Sequence, residues 1–172
     1  LSLSRLESKD EQQSDPPEVV NMPKLVAGLA EDGVALSRGR HTIDTDISAT
    51  QAVLGQVDEI RSACLNLVTN AVRYTPDGGK IQISWSFNPD DQTATFAVKD
   101  NGIGIDAEDI PRLTERFYRV DKSRSREKGG TGLGLAIVKH VAIRNHCQLR
   151  IESEPGKGST FSLVFPTESL IN

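Results

Sequence analysis

The chain has 172 residues, of which 37% are hydrophobic and 26% are charged, and its formal net charge is -4. This size and composition are typical of one compact domain with a substantial buried core. The acidic balance argues against nucleic acid as a partner. No apolar run approaches the roughly 20 residues of a membrane-spanning helix, and Cys64 and Cys147 form no paired motif, so both are expected to be buried, reduced thiols.

The N-terminal segment differs from the rest of the chain. Leucines at positions 1, 3 and 6 predict the end of a helix that belongs to an upstream unit, and the polar stretch 8–17 is typical of a linker. A domain is therefore expected over residues 18–168, preceded by helix end and linker over 1–17 and followed by a tail over 169–172.

The predicted elements follow in chain order. A helix over 57–74 should end at Thr75, because Pro76 cannot continue it. Alternating apolar residues in 81–87 and 94–98, on either side of an Asn-Pro-Asp-Asp turn, predict a hairpin. The other predicted elements are strand 18–21, helix 23–37, strands 41–47 and 51–56, a short helix after residue 104, helix 133–145, and strands 148–152 and 160–165.

This order of elements predicts the fold class. Strands and helices alternate irregularly, and two of the connections are tight hairpins. We therefore expect an α/β two-layer sandwich, with one mixed, mostly antiparallel sheet of about five strands and helices on one face.

The predicted helix 57–74 carries polar side chains on one face. Asn66, Asn70 and Arg73 are spaced by four and three residues and so share that face. Asparagine is disfavoured inside helices, which favours a polar site whose amide oxygens could bind Mg²⁺. The helix alone leaves an ordinary exposed face open as the alternative. The predicted core stripe is a different one: Ile60, Cys64, Leu67, Val68 and Ala71.

Two glycine-rich segments have features of ligand-binding loops. Asp100 begins a D-N-G-I-G sequence where a predicted strand ends, so its carboxylate could accept a hydrogen bond from an exocyclic amine such as that of adenine. The glycines at 129–134 precede a predicted helix, whose N-terminus favours anions. Taken singly, the first segment could be an ordinary turn, and the glycine-rich turn at 156–158 a simple hairpin.

The segment 112–128 holds seven basic and three acidic residues, a local charge of +4. It is either a solvated loop or a phosphate-binding element on an acidic protein.

The order and spacing of these motifs resemble the catalytic domains of sensor histidine kinases. That family belongs to the superfamily of type II topoisomerases, mismatch-repair ATPases and heat-shock chaperone ATPases. The resemblance covers about residues 18–166, and residues 117–126 are most similar to phosphate-regulon sensor kinases. Its motifs are the N box at 66–76, the first glycine box at 100–104, the F box at 115–119, the second glycine box at 130–135 and the third at 156–161.

The resemblance implies a Bergerat-type ATP-binding fold with ATP and Mg²⁺ as cofactors. Asn70 and Asn66 would hold the metal and, with Arg119 near the γ-phosphate, form the catalytic set. Asp100 would select adenine, and the basic segment through Lys128 would form a lid. The remaining nucleotide contacts implied are Arg73, Tyr74, Gly102, Gly104, Ile105, Tyr118, Lys122, Arg124, Gly130, Thr131, Gly132, Leu133, Gly134 and Thr160.

The resemblance also implies partners that lie outside this sequence. In this family the γ-phosphoryl group passes to a histidine on a helical dimerisation domain and then to a response regulator. An acidic residue follows that histidine, with a proline four positions further on. His41, His140 and His146 lack this pattern, so the acceptor is expected elsewhere in the parent protein. The implied parent is a homodimer anchored in a bacterial inner membrane, with this domain cytoplasmic and monomeric when isolated.

Three other functions remain to be weighed: a clamp-closing ATPase of the superfamily, a non-catalytic docking module, and a serine kinase like the anti-sigma factors. In the hydrolytic relatives a glutamate stands four residues before the metal-binding asparagine and activates water. Here that position is Asn66, which cannot accept the proton of the attacking water. The sequence therefore favours phosphoryl transfer over hydrolysis.

Overall fold

The computed structural model describes residues 3–4, 15–116, 118 and 134–172. Within these residues, eight strands form a five-stranded sheet of order β2-β4-β5-β7-β6 and a three-stranded sheet of order β1-β3-β8, accompanied by three α-helices. The strands are β1 Glu18–Val20, β2 Thr42–Ile47, β3 Ala52–Gly55, β4 Lys80–Asn88, β5 Thr93–Asp100, β6 Gln148–Glu154, β7 Gly158–Phe165 and β8 Leu170–Ile171. The helices are α1 Met22–Ser37, α2 Val57–Tyr74 and α3 Gly134–Arg144, with 3-10 turns at Ile110–Arg112 and Thr167–Ser169.

The large sheet is mixed and mostly antiparallel, which confirms the predicted fold class. β2 pairs with β4 in parallel, whereas the pairs β4–β5, β5–β7 and β6–β7 are antiparallel. A parallel pair requires a crossover connection, and β3 together with α2 supplies it. This crossover places α2 over the sheet, with its buried apolar stripe in the core and its polar face half-buried.

One face of the large sheet forms the core of the domain. Ile81, Ile83 and Trp85 of β4 are buried, while the residues between them are more exposed, as the period-2 pattern predicted. The ring of Trp85 packs edge-on against Phe165, with centroids 5.8 Å apart and an interplanar angle of 73°. All three helices pack on this face or on each other, and among the described residues no helix covers the opposite, open face of the sheet.

The helix boundaries follow local chemistry. The side chain of Asn21 accepts a hydrogen bond from the Lys24 amide at 3.2 Å and so caps α1. Both predicted ends of α2 are confirmed, with Thr75 in extended conformation ahead of Pro76. None of the helices in the described residues is both long and apolar enough to cross a membrane.

A second, small sheet was not predicted, because all of the strands were expected to form one sheet. Leu170 and Ile171, at the end of the chain, pair with Val53 and Ala52 of β3. These two residues lie in the segment interpreted as a tail. A two-residue strand is too short to show alternation, so the sequence carried no signal for it.

A buried polar network joins the start of α2 to the end of α3. The Glu59 carboxylate, 2% exposed, accepts hydrogen bonds from Arg144 Nε at 2.9 Å and Nη2 at 3.1 Å. Asn145 Nδ2 donates to Glu59 Oε1 at 3.1 Å, and Asn145 Oδ1 accepts from the Gln56 amide at 2.8 Å. The network therefore fixes how the two helices pack.

Both cysteines are free thiols; Cys64 is buried as expected, whereas Cys147, also expected to be buried, is half-buried. Burial raises the pKa of Cys147 to about 12 and that of Cys64 well above its ordinary value. Because the thiolate is the reactive form, both cysteines should be inert near neutral pH.

Candidate functional site

The polar face predicted for α2 is present. Asn66, Asn70 and Arg73 are half-buried, while the five predicted core residues of the same helix are buried. Asn66 Nδ2 donates to the Ser62 carbonyl at 2.9 Å, which directs Oδ1 away from the helix backbone. Among the described residues, none forms a hydrogen bond with the side chain of Asn70. Two amide oxygens are thus available on one helix face.

The first described residue of α3 lies against this face. A β-carbon on Gly134 would stand 3.1 Å from Asn66 Oδ1, so the absence of a side chain permits the close approach. The N-terminus of a helix carries unpaired N–H groups and a partial positive charge. An anionic group placed here would meet amide side chains on one side and this helix end on the other.

Asp100 is held in one orientation at the end of β5. Its Oδ1 accepts hydrogen bonds from the Gly102 amide at 2.9 Å and from the Ser159 amide at 3.3 Å. Burial raises the pKa of Asp100, and these two N–H donors oppose that rise. Because both donors use Oδ1, Oδ2 remains available among the described residues to accept a hydrogen bond from a ligand.

The loop after Asp100 is fixed by backbone contacts that require glycine. Gly104 has φ +73°, and a β-carbon there would overlap the Glu154 carbonyl oxygen. A β-carbon on Gly102 would lie 2.9 Å from the Tyr74 carbonyl oxygen. The Gly156 amide donates to the Ile103 carbonyl at 2.8 Å. Gly102 thus brings the Asp100 loop to the end of α2, and Gly104 brings it to the β6–β7 turn.

The strand register bears on the role predicted for Thr160. In the strand register Ser159 lies opposite Asp100, whereas Thr160 lies opposite Lys99 and Glu152. Successive side chains of a strand point to opposite faces, so Ser159 shares the face of Asp100 and Thr160 points to the open face. The strand phase is not visible in a glycine-rich turn, so the sequence did not single out Ser159, and a nucleotide contact by Thr160 stays a prediction.

Tyr118 is held by its own neighbours in the chain. Its hydroxyl donates to Asp109 Oδ1, and the Arg112 guanidinium stacks over its ring at 4.4 Å from the centroid. The hydrogen bond to Asp109, followed by desolvation, raises the pKa of Tyr118. These contacts tie Tyr118 to the segment after the first glycine loop.

The other predicted residues fall into two groups. Ile105 is half-buried, and its amide donates to Ser153 Oγ at 2.8 Å, while Arg73 and Tyr74 are half-buried near the end of α2. The proposed lid and most of the basic segment lie outside the described residues. So do the remaining predicted nucleotide contacts, which are Arg119, Lys122, Arg124, Gly130, Thr131, Gly132 and Leu133.

One histidine has a structural position that the sequence did not reveal. His41 Nε2 lies 2.7 Å from the Thr75 carbonyl, and Nδ1 lies 2.9 Å from Ser37 Oγ. Since the carbonyl can only accept, Nε2 donates to it and Nδ1 accepts from the Ser37 hydroxyl. His41 therefore links the ends of α1 and α2 beneath the site, a contact between positions 34 residues apart that no local pattern predicts.

Comparison with known proteins assigns a family to this arrangement. The family described as "Histidine kinase-, DNA gyrase B-, and HSP90-like ATPase" matches residues 55–169. The phosphate regulon sensor protein PhoR of Pseudomonas aeruginosa is 51% identical over 166 residues, which cover 96% of this chain and 37% of that protein. The sensor-like histidine kinase SenX3 of Mycolicibacterium smegmatis is 41% identical over 167 residues, 96% of this chain and 42% of that protein.

Solved structures agree with this assignment. A mycobacterial sensor histidine kinase, MprB, superimposes with a TM-score of 0.74 at 26% identity, covering 87% of this chain and 97% of that one. Full-length ShkA in complex with AMPPNP gives a TM-score of 0.75 at 25% identity, over 87% of this chain and 31% of that one. The chain spans less than half of the length of the two curated relatives, PhoR and SenX3. It belongs to the histidine kinase-, DNA gyrase B- and HSP90-like ATPase family, and within that family it is an ATP-binding catalytic domain of the sensor histidine kinase type.

Proposed function

We propose that this domain binds Mg-ATP and transfers the γ-phosphoryl group to a histidine on a helical dimerisation domain of the same parent protein. The observation that carries this proposal is the close approach of the start of α3 to Asn66, since a β-carbon on Gly134 would stand 3.1 Å from Asn66 Oδ1. It joins a row of amide side chains to an anion-favouring helix end. This combination suits the phosphates of a nucleotide and the cation that accompanies them.

Asn70 and Asn66 would hold the metal. Their amide oxygens are neutral hard donors, which suit Mg²⁺ when phosphate oxygens and water complete its octahedron. The described contacts support this, because Asn66 uses only its Nδ2 within α2 and Asn70 uses neither side-chain atom. When bound, Mg²⁺ neutralises charge on the phosphate oxygens during transfer.

The adenine base would bind beside Asp100. The fixed Oδ1 and the available Oδ2 support a single hydrogen bond accepted from the exocyclic amine of the base. Gly102 and Gly104 keep the loop close to α2 and to the β6–β7 turn, so that the base and the phosphates would lie between two rigid elements.

In the transfer step, a nitrogen of the acceptor imidazole attacks the γ-phosphorus. The bond from that phosphorus to the β–γ bridging oxygen breaks, and ADP leaves with the electron pair. The neutral amide of Asn66 stands where a general base would be needed to activate water, and loss of a general base costs about 10²–10⁴-fold in rate. The domain would therefore transfer its phosphoryl group much faster than it hydrolyses ATP.

The parent protein would pass the phosphoryl group on to a response regulator. The relative from Pseudomonas aeruginosa is named a phosphate regulon sensor, which supports phosphate supply as the signal. By the same resemblance, the parent would be a homodimer anchored in a bacterial inner membrane, with this domain on the cytoplasmic side.

The test is transfer in trans. The purified domain, Mg²⁺ and γ-labelled ATP are mixed with the isolated helical hairpin from the same gene, and acid-labile label on the hairpin is measured. We expect label on the hairpin and none on His41, His140 or His146. Asn70→Ala should abolish transfer, whereas Gln82→Ala, an exposed amide on the open face of the sheet, should leave it unchanged.

Steady-state phosphate release by the domain alone separates the kinase from a hydrolytic clamp. We expect turnover far below the enzyme median of roughly 10 s⁻¹. Turnover near that value, without label on the hairpin, would overturn the kinase proposal in favour of an ATPase.

A further inference from the structure

Three strand ends meet beside the proposed base-binding position. Asp100 of β5 lies opposite Ser159 of β7, and Ser159 lies opposite Ser153 of β6. The three side chains form one row across the sheet, on the face that the helices cover. Ser153 belongs to none of the sequence motifs, yet it ends this row.

The hydroxyl of Ser153 makes three contacts at once. It accepts the Ile105 amide at 2.8 Å, and it lies 3.1 Å from the Gly158 carbonyl and 2.7 Å from Ser159 Oγ. A hydroxyl has one proton to donate and can accept two. The Gly158 carbonyl can only accept, so Ser153 donates to it. All three contacts are then satisfied only if the hydroxyl of Ser159 donates to Ser153.

This arrangement determines which polar groups face Asp100. The Ser159 proton is committed to Ser153, so Ser159 offers lone pairs rather than a donor. Its backbone N–H binds Asp100 Oδ1 and leaves Oδ2 as an acceptor. The other flank of Asp100, the loop through Gly102 to Ile105, is held by Ser153 through the Ile105 amide.

We propose that Ser153 is a positioning residue for base selection. It fixes the loop and the β7 strand end on either side of Asp100. The row of Asp100, Ser159 and Ser153 then presents only hydrogen-bond acceptors to the six-position of a purine. An amine there, as in adenine, finds an acceptor, whereas the carbonyl oxygen of guanine meets another acceptor. This inference rests on the proposed binding of ATP beside Asp100.

The test compares three nucleotides: ATP, GTP and purine riboside triphosphate, which has neither amine nor carbonyl at the six-position. Their dissociation constants are measured by calorimetry for the wild-type domain and for Ser153→Ala, Ser153→Thr and Ser162→Ala. Ser162 of β7 is the matched control, because its side chain makes no hydrogen bond among the described residues. Thermal unfolding of each variant is followed in parallel.

We expect Ser153→Ala to weaken the binding of ATP about 3- to 10-fold, which is the effect of one net hydrogen bond. The binding of purine riboside triphosphate should change little, and the preference for ATP over GTP should fall by a similar factor. Ser153→Thr, which keeps the hydroxyl, should restore the preference, and Ser162→Ala should behave as wild type.

Equal weakening of all three nucleotides, or a lower unfolding temperature with an unchanged ATP-to-GTP ratio, would overturn the role of Ser153 and leave ATP binding intact. If Ser153→Ala does not fold, the comparison of Ser153→Thr with Ser153→Cys decides, since the weak thiol donor should lower the ratio. A wild-type domain that binds ATP and purine riboside triphosphate equally well would instead contradict the base-binding role of Asp100.

Discussion

Two polar regions lie along helix α2, and they differ in how completely their hydrogen bonds are satisfied. At its start, Glu59 is enclosed by Arg144 and Asn145 and receives three hydrogen bonds. Further along, Asn66 and Asn70 have amide oxygens without partners among the described residues. The first region is buried and the second is half-buried.

The difference separates stabilisation from binding. A buried charge with all of its partners locks two helices together, and it costs stability when one partner is removed. A polar atom left available at the surface contributes little to folding but can bind a ligand. Because α2 and α3 carry both regions, the closed network holds the helices in the packing that the open site requires.

The largest effect should come from breaking the closed region. Glu59→Ala removes the buried carboxylate that accepts two hydrogen bonds from the guanidinium of Arg144, which is 10% exposed. We expect a loss of about 3–5 kcal/mol in the free energy of unfolding, measured by urea denaturation. The control is Glu115→Ala, which breaks the exposed Arg112–Glu115 pair and should cost less than about 1 kcal/mol. Equal losses in the two variants would contradict the distinction between the regions.

A glycine substitution at the edge of the open site should affect both stability and binding. Gly104→Ala meets an unfavourable φ of +73° and the Glu154 carbonyl. We expect a loss of more than about 2 kcal/mol in unfolding free energy, together with weaker ATP binding. The control is Gly78→Ala, where φ is +87° and an added β-carbon meets nothing within 4 Å. It measures the cost of the backbone conformation alone, about 1–2 kcal/mol of unfolding free energy, and should leave ATP binding unchanged. Identical behaviour would show that the contact with Glu154 is unimportant.

Asp100→Asn should change binding with little change in stability. The amide can keep an oxygen for the Gly102 and Ser159 N–H groups, but it then presents NH₂ where Oδ2 was. We expect ATP to bind roughly 10- to 150-fold more weakly, the loss of a hydrogen bond to a charged group of about 1.5–3 kcal/mol. Calorimetry measures this, with the exposed Asp106→Asn as control. The free energy of unfolding in urea should be nearly unchanged. A large destabilisation would show that Asp100, like Glu59, mainly stabilises the fold.

The smallest effect is a pH dependence that Asp100→Asn should remove. Burial raises the pKa of Asp100, so the carboxylate needed for the amine begins to be lost at a higher pH than for an ordinary aspartate. As pH is lowered, the ratio of ATP affinities, wild type over Asp100→Asn, should therefore begin to fall before the ordinary aspartate pKa of 3.8 is reached. For the stability of the fold the sign is opposite. The pKa of Asp100 is higher in the folded than in the unfolded chain, so the folded chain binds the proton more tightly. The contribution of Asp100 to the free energy of unfolding is therefore lost as pH rises, not as it falls. A constant ratio would contradict the assignment.

Most of the large elements could be predicted because their signals are local. The alternation in β4 and β5, the proline after α2 and the polar face of that helix each depend on residues within a few positions. The Asp100 loop was also predicted, since glycines that follow a carboxylate at a strand end, in a chain that also has the N box, are typical of a nucleotide-binding loop.

The features that were missed depend on strand phase and on distant contacts. Ser159 was not predicted to share the face of Asp100, because a turn with glycines at 156 and 158 does not reveal which side chain points inward. Ser153, His41 and the Glu59–Asn145 contact involve partners up to 86 residues away, and their residue types are common on surfaces. β8 was missed because it has only two residues.

The register of the β4–β5 hairpin has a practical consequence for experiments on this domain. Ile81 pairs with Asp100 at the site, and Asn88 pairs with Thr93 at the far end. Seven residue steps separate the two pairs, which at about 3.3 Å each gives roughly 23 Å. Asp90 and Asp91 at the turn are exposed, and exposed hairpin tips tolerate insertions well. A fluorophore or affinity tag inserted there would lie at the opposite end of the sheet from Asp100 and should leave nucleotide binding undisturbed.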